Sequence, residues 1–212
     1  MFGATQQLCM LGVAYVYLKF WQKFKLEPES KVPCLVNAVV CSVGSFSCYF
    51  FPSTIQTFIT LFYGYLYWDL GLNVWEYEKI RDPSCIIHHA LFVLALYVAP
   101  RDECAFDTAW WLLSGEISTV FLQTRNILKA NNLTQGRMYS DVSKLFAVTF
   151  VPTRVFIFGF GLIDAWNNCY REVFWALCLP YALNLYWACI IVKKVIHHIT
   201  NGSDRAIRDD SV

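Results

Sequence analysis

Charged side chains are scarce in this sequence. Asp, Glu, Lys and Arg together make up 16% of the 212 residues, whereas soluble domains carry about 25%. Hydrophobic residues make up 57% and aromatic residues 17%. Because so few charges are available to cover a water-exposed surface, the composition excludes an ordinary soluble domain and predicts an integral membrane protein.

Other absences exclude further classes. The formal net charge is +1, so no basic field is present to attract nucleic acid. The nine cysteines lie mostly in apolar stretches, without the CxxC or Cys/His spacing of a zinc site, and we predict no metal ion. The polar end "NGSDRAIRDDSV" carries no KDEL-type signal, so it does not specify an organelle.

Long apolar runs are what the sequence has in abundance. A helix needs roughly 20 mostly apolar residues to cross a bilayer, and seven stretches qualify: 3–21, 34–51, 55–75, 84–99, 104–122, 142–163 and 173–195. We therefore predict an all-α polytopic bundle of seven transmembrane helices. Its predicted divisions are an N-terminal anchor helix with a basic cytosolic loop (1–30), a membrane domain (31–198) and a disordered polar cytosolic tail (199–212).

Basic residues near the ends of the short loops predict the orientation. Thirteen fall on one side of the predicted membrane and two, Arg101 and Arg171, on the other. Basic loops face the cytosol, so the N-terminus is predicted to be lumenal or extracellular and the C-terminus cytosolic. The thirteen are Lys19, Lys23, Lys25, Lys31, Lys79, Arg81, Arg125, Lys129, Arg137, Lys193, Lys194, Arg205 and Arg208.

Four ionisable residues coincide in depth under this topology. At a rise of 1.5 Å per residue, Asp69 lies roughly 9 Å from the cytosolic end of the third helix, and His88 and His89 lie roughly 6 to 8 Å deep in the fourth. Glu116 occupies a similar level in the fifth helix. Ionisable groups in a membrane usually face one another or a wet cavity, so these four form the candidate functional site.

Each of these residues also has a purely structural interpretation. The histidine pair can act in chemistry, or it can be a buried pair that is satisfied by Asp69 or Glu116. Both acidic residues can serve as helix-to-helix hydrogen-bond partners. The predicted substrate-binding residues are Ser118, Arg125 and Asn126, with Arg125 also suited to the headgroup region, and Arg154, whose mid-helix position requires a carboxylate or a lipid phosphate.

The ordered motifs resemble the TLC domain, the family of the translocation-associated, longevity-assurance and ceroid-lipofuscinosis proteins. They are "YLYWDLGL", "IHHALFVLAL", "GEISTVFLQTRNIL" and "LNLYWACIIVKKVI", and the E-x-S-T-x-F-L-x-x-R run is the most specific. The resemblance covers roughly residues 31–198 and is strongest to the short TLC-domain-containing branch. It implies a six-helix membrane domain preceded by one anchor helix.

The resemblance to ceramide synthases within this family implies transfer of an acyl chain from acyl-CoA to a lipid amine or hydroxyl. His88 or His89 would then be the base or the acyl acceptor, with Asp69 or Glu116 orienting the ring. It further implies membrane lipids and acyl-CoA as partners, with acyl-CoA as co-substrate and no other cofactor. We also expect a homo-oligomer. The expected location is the endoplasmic reticulum, with the plasma membrane and Golgi as alternatives.

One difference from the ceramide synthases favours a different function. The histidine pair is followed by "ALFVLALYVAP", and the HD-x-x-D element of ceramide synthases does not occur. The alternative is a non-enzymatic TLC-domain protein that regulates membrane lipid composition or binds lipid or cargo.

Overall fold

The fold is known from a computed structural model, in which residues 4–23, 31–80, 83–98 and 110–209 are described. Within these ranges the regular structure is helical throughout, which confirms the all-α membrane bundle predicted from the sequence. The helices are α1 (Ala4–Lys23), α2 (Val32–Phe50), α3 (Ile55–Trp75), α4 (Tyr77–Ile80), α5 (Pro83–Val98), α6 (Trp110–Ser114), α7 (Glu116–Ala130), α8 (Arg137–Val151), α9 (Phe158–Asn168) and α10 (Arg171–Asp209).

In the described part of the chain these helices form seven continuous segments in the predicted order. Helix α4 follows α3 directly after Glu76, α6 continues into α7 through Gly115, and α8 continues into α9 through a π-helical turn, Pro152–Ile157. Three described segments are both long and apolar enough to span a membrane: Val32–Phe50, Arg137–Asn168 and Arg171–His197. Helix α5 is apolar but shorter, while α1 and α3 contain tyrosine, tryptophan and polar residues that lower their hydropathy.

Two segment ends differ from the sequence prediction. The fifth segment, predicted as 104–122, reaches Ala130 in the structure, and its first residues lie outside the described part. Its last turns are polar, yet they remain helical because they pack against α8. Helix α10 reaches Asp209, so it runs into the segment for which a disordered tail was predicted.

Proline residues set several boundaries. Helix α2 ends one residue before Phe51, whose extended backbone (φ −133°, ψ 79°) precedes Pro52, as expected because proline disfavours the helical conformation in the residue before it. Pro152 opens the π-helical turn between α8 and α9. Because proline has no backbone N–H, the regular hydrogen-bond ladder is interrupted at this point.

The packing leaves apolar side chains outside and encloses polar ones. Phe46, Val148 and Phe160 are exposed on the outer surface, where a bilayer would cover them. Helix α1 packs on α3, α2 on α3, α6 and α7, and α5 on α3 and α10. The buried polar residues are Asn37, Ser45, Asp69, Asn73, Ser114, Glu116, Ser118, Thr153, Arg154 and Asn184.

A glycine allows α1 to approach α3 closely. A Cβ built on Gly64 of α3 would overlap Val13 Cβ of α1 and lie 2.8 Å from the Met10 carbonyl oxygen. Such small residues bring membrane helices together. Helix α1 is thereby held against the helix that carries Asp69.

Candidate functional site

A cavity of about 300 Å³ lies among α2, α3, α5, α7, α8 and α10. Much of its wall is apolar or aromatic: Phe62, Tyr65, Leu66, Phe92, Leu122, Phe146, Phe150, Trp187, Ile190 and Ile191. Its polar lining consists of Lys31, Cys34, Ser84, Cys85, His88, His89, Glu116, Ser118, Thr119, Gln123, Asn126 and Arg154. The arrangement suits a ligand with an apolar chain and one polar functional group.

On one side of the cavity, His89 is held by a carboxylate. Its Nδ1 lies 2.7 Å from Asp69 Oδ2, and both side chains are nearly buried. Asn73, one helical turn after Asp69, donates from Nδ2 to the Asp69 carbonyl oxygen at 2.8 Å and to Oδ2 at 2.9 Å. The carboxylate is therefore fixed by its own helix, and it fixes the ring of His89.

This pairing determines which nitrogen of His89 is available. With Nδ1–H donating to Asp69, the lone pair of the ring is on Nε2. In the described part of the chain no group hydrogen-bonds Nε2. An imidazole oriented by a carboxylate through one nitrogen and free at the other is suited to accept a proton.

Two thiols surround the same carboxylate. Cys34 of α2 lies 3.5 Å from Asp69 Oδ1, and Cys85 of α5 lies 3.8 Å from both Asp69 Oδ2 and His89 Nδ1. The donor atoms of Asp69, Cys85 and His89 all lie within 4.8 Å of one another, so these three could hold a metal ion. However, the 2.7 Å separation of Nδ1 and Oδ2 is that of a hydrogen bond, whereas ligands of a tetrahedral zinc ion lie about 3.3 Å apart.

On the other side of the cavity, His88 faces a cation. Its Nε2 lies 3.5 Å from Arg154 Nη1, and its ring packs on Phe92 and Trp187 with centroid distances of 4.8 and 5.0 Å. A guanidinium only donates, so Nε2 of His88 accepts and the ring proton belongs on Nδ1. The two adjacent histidines thus have opposite partners, and their ring centroids are 5.5 Å apart.

Protein groups supply hydrogen-bond acceptors to the whole guanidinium group of Arg154. Its Nη2 lies 3.2 Å from Glu116 Oε1 in a buried ion pair, and all three guanidinium nitrogens have acceptors. The mid-helix arginine therefore has a carboxylate partner, one of the two options predicted from the sequence. Its other acceptors are Gly115 O and Ser118 Oγ at 3.1 Å, Thr119 Oγ1 at 2.7 Å and Asn184 Oδ1 at 3.5 Å.

The π-helical turn explains how Arg154 reaches the cavity from a long helix. The turn begins at Pro152, and Arg154 is buried within it. A π-helical turn adds a residue and changes the direction of the side chains beyond it, and such turns are frequent at functional sites. Gly115 lies opposite, where a Cβ would be 3.7 Å from the Arg154 side chain.

The structure places the predicted residues as follows. His88, His89 and Glu116 line the cavity, and Asp69 lies behind His89. Of the two carboxylates considered for the histidines, Asp69 holds His89, while Glu116 pairs with Arg154. Ser118 and Asn126 also line the cavity.

Arg125 is not brought to this site. Its Nε donates to Ser143 Oγ at 3.2 Å, and its guanidinium lies 5.3 Å from the Tyr139 ring centroid. It therefore joins α7 to α8, and the cavity wall does not include it.

Three residues that contact the site residues were not predicted from the sequence. Cys85 and Asn73 stand four residues from His89 and Asp69, a helical spacing that brings side chains together and could have been used to find them. Asn184 is fully buried and contacts Arg154. It is the one asparagine in the apolar part of α10, Arg171–His197, and no helical spacing to another polar residue indicates its role.

Comparison with known proteins identifies relatives of this chain. The family model described as the TLC domain matches residues 31–199. The chain is 26% identical to "TLC domain-containing protein 4 C" of Dictyostelium discoideum, over 89% of this chain and 78% of that protein. It is also 26% identical to an uncharacterized TLC domain-containing protein of Schizosaccharomyces pombe, over 84% of this chain and 69% of the relative.

No solved structure matches the chain significantly. The family match covers most of the chain and contains both histidines, Asp69, Glu116 and Arg154. The apolar helices, together with this match, indicate an integral membrane protein related to lipids. The chain belongs to the TLC domain family.

Proposed function

We propose that this protein transfers an acyl chain from acyl-CoA to a lipid amine or hydroxyl within the membrane, with His89 as the base. The observation that carries the proposal is the His89–Asp69 pair, 2.7 Å apart, beside a largely apolar cavity. This pair supplies an oriented proton acceptor where an acyl chain can be accommodated.

The proposed step is an acyl substitution. The lone pair of the acceptor amine or hydroxyl attacks the thioester carbonyl carbon, while His89 Nε2 takes the proton of the acceptor. The tetrahedral intermediate then collapses, the C–S bond breaks, and the proton passes from His89 to the departing thiolate. The products are the acylated lipid and free CoA, and a positioned base contributes about 10²- to 10⁴-fold to such a step.

The remaining contacts support different roles for the two histidines. Asp69 and Asn73 hold His89 in one orientation. Arg154 is neutralised by Glu116, so it orients His88 instead of binding an anionic headgroup. The apolar and aromatic wall would hold the acyl chain and exclude water from the thioester.

We further propose that the cavity opens toward the cytosol, where acyl-CoA is found, and that the protein resides in the endoplasmic reticulum. The bias of basic residues supports this orientation. A second support is Cys169, between α9 and α10, which is disulfide-bonded. Disulfides form in oxidising compartments, and Cys169 stands on the side predicted to be lumenal.

The alternative is a non-enzymatic lipid-binding function. It is favoured by the apolar and aromatic lining of the cavity, which would hold a lipid chain without any reaction. In that case the histidines would be headgroup or helix-packing ligands.

The test is release of free CoA by the purified protein. The protein would be supplied with acyl-CoA and a panel of long-chain bases, lysophospholipids and glycerolipids. We expect release with at least one acceptor and a loss of about 10²-fold or more in His89→Gln. The control is His197→Gln, which makes the same change at an exposed position. A folded wild-type protein that releases no CoA with any acceptor would overturn the enzymatic proposal.

A further inference from the structure

A layer of four aromatic rings closes one end of the cavity. Phe62 of α3 and Phe92 of α5 line the cavity and meet edge to face, with ring centroids 6.2 Å apart. Phe92 packs in the same way on Phe158 of α9 at 6.3 Å, and Phe158 packs on Trp111 of α6 at 5.0 Å. The four side chains are only 1% to 4% exposed. We call these four residues the aromatic floor.

The aromatic floor is closely packed on the side away from the cavity. A Cβ built on Gly161 of α9 would overlap the Trp111 ring, and Tyr181 of α10 stacks on Phe158 with a centroid distance of 5.6 Å. Phe158 and Trp111 themselves lie outside the cavity lining. Because protein interiors are close-packed, an acyl chain cannot pass the aromatic floor unless a ring is displaced.

The aromatic floor lies about one helical turn from His89. Phe92 follows His89 by three residues on α5, and Phe62 precedes Tyr65 by three residues on α3. Tyr65 lies beside His89, with ring centroids 6.0 Å apart. Three residues of helix rise about 4.5 Å, so this is the depth available between His89 and the floor.

The opposite end of the cavity is polar. Its lining there includes Lys31, Ser84, Gln123 and Asn126, of which Lys31 and Ser84 stand at the starts of α2 and α5. The CoA group is polar and phosphorylated, so it belongs at this end. An acyl group whose thioester carbonyl carbon lies at His89 then extends toward the aromatic floor.

We infer that the aromatic floor restricts the transferred acyl group to short chains, with Phe62 and Phe92 as the residues that determine specificity. The inference rests on the proposed acyl transfer. One leaflet of the hydrocarbon core is about 15 Å thick and takes roughly 16 carbons of a lipid chain. By the same proportion, the depth of about 4.5 Å beyond His89 takes about five carbons. The substrate class is therefore short-chain acyl-CoA, and a palmitoyl chain does not fit.

The first measurement needs no variant. Purified wild-type protein would be given acetyl-, butyryl-, hexanoyl-, decanoyl- and palmitoyl-CoA with the acceptor panel described above, and kcat/KM for CoA release would be compared. One methylene group in an apolar pocket can change kcat/KM by about 10- to 200-fold, so we expect butyryl-CoA to exceed decanoyl-CoA by about tenfold or more. If decanoyl- or palmitoyl-CoA reacts as well as butyryl-CoA, the inference is overturned while acyl transfer stands.

The second measurement uses Phe92→Ala, which removes one ring of the aromatic floor. We expect the ratio of kcat/KM for decanoyl-CoA to that for butyryl-CoA to rise by about tenfold or more. This ratio does not depend on the fraction of protein that is folded. Phe92→Leu, which changes the volume less, should raise the ratio in the same direction and serves if Phe92→Ala does not fold.

The matched control is Phe150→Ala. Phe150 is also 4% exposed and lines the cavity, but it precedes Arg154 by four residues and so lies toward the polar end, whereas Phe158 of the floor follows Arg154 by four. We expect the wild-type ratio in this variant. An equal rise in Phe150→Ala, or no rise in the Phe92 variants, would show that the aromatic floor does not set the chain length. If the wild-type protein releases no CoA from any of the five thioesters, acyl transfer fails, and this inference fails with it.

Discussion

The two histidines are neighbours on one helix, yet their surroundings differ in charge. His89 faces the Asp69 carboxylate at 2.7 Å, and His88 faces the Arg154 guanidinium at 3.5 Å. Successive residues on a helix point about 100° apart, so α5 directs one ring toward α3 and the other toward α8 and α10. The same residue type is therefore set up to take a proton in one position and to accept a hydrogen bond from Arg154 in the other.

The ion pair on the His88 side is expected to give the largest effect when broken. Replacing Glu116 with Ala leaves Arg154 charged, buried and without its carboxylate. Removing one partner of a buried pair typically costs about 3–5 kcal/mol, measurable as a fall in the free energy of unfolding in detergent. The matched control is Asp141→Ala, which breaks the exposed Arg137–Asp141 pair and should cost less than about 1 kcal/mol. Equal losses would show that the Glu116–Arg154 pair is not buried as described.

The carboxylate on the His89 side is expected to act on rate more than on stability. Asp69→Asn keeps the shape but no longer favours the proton on His89 Nδ1. We expect CoA release to fall by about 10²-fold, equivalent to about 2.7 kcal/mol in activation free energy. Initial rates on protein shown to be folded would check this. An Asp69→Asn rate within a few-fold of wild type would remove the reason for treating the two histidines differently.

The contact between α1 and α3 is expected to give a smaller effect, on stability alone. Gly64→Ala would place a methyl group against Val13 and Met10 of α1, and such overpacking typically costs about 1–3 kcal/mol. Gly71→Ala on the same helix meets nothing within 4 Å and serves as the control. Thermal unfolding in detergent should separate the two variants. If both unfold at the wild-type temperature, α1 is not packed on α3 as closely as described.

The smallest effect is expected at Cys85. Its sulfur contacts Asp69 and His89 only at 3.8 Å, too far for strong hydrogen bonds. Cys85→Ala should therefore change the rate of CoA release less than about threefold, or about 0.7 kcal/mol. Complete loss of activity would instead identify the thiol as a nucleophile or a metal ligand, and His89 would then not be the base.

The fold could be predicted from the sequence because hydropathy records burial in a membrane directly. The order of the seven segments follows from apolar runs alone. The extension of α7 to Ala130 could not be predicted in this way, since its last turns are polar and are stabilised by contact with α8. The same contact explains Arg125, which packs on Tyr139 and Ser143.

Pairings within the site were less accessible to sequence reasoning. Depth along each helix brought Asp69, both histidines and Glu116 to one level, but depth says nothing about rotation around a helix axis. Which carboxylate meets which histidine depends on how α3, α5 and α7 are turned toward one another. The π-helical turn at Pro152–Ile157 adds a rotation that turns Arg154 toward Glu116, and Asn184 acquires its partner only through that turn.

Chemical rescue of His89→Ala is the most direct test that His89 is the base. Free CoA release would be measured for this variant with and without added imidazole, and then with imidazoles of increasing basicity. The account predicts that imidazole restores part of the lost rate and that rescue grows with basicity, whereas His88→Ala shows no such dependence because the His88 ring accepts a hydrogen bond from Arg154 and takes no proton in the reaction. If His89→Ala is not rescued, or if His88→Ala is rescued with the same dependence on basicity, the assignment of His89 as the base is contradicted.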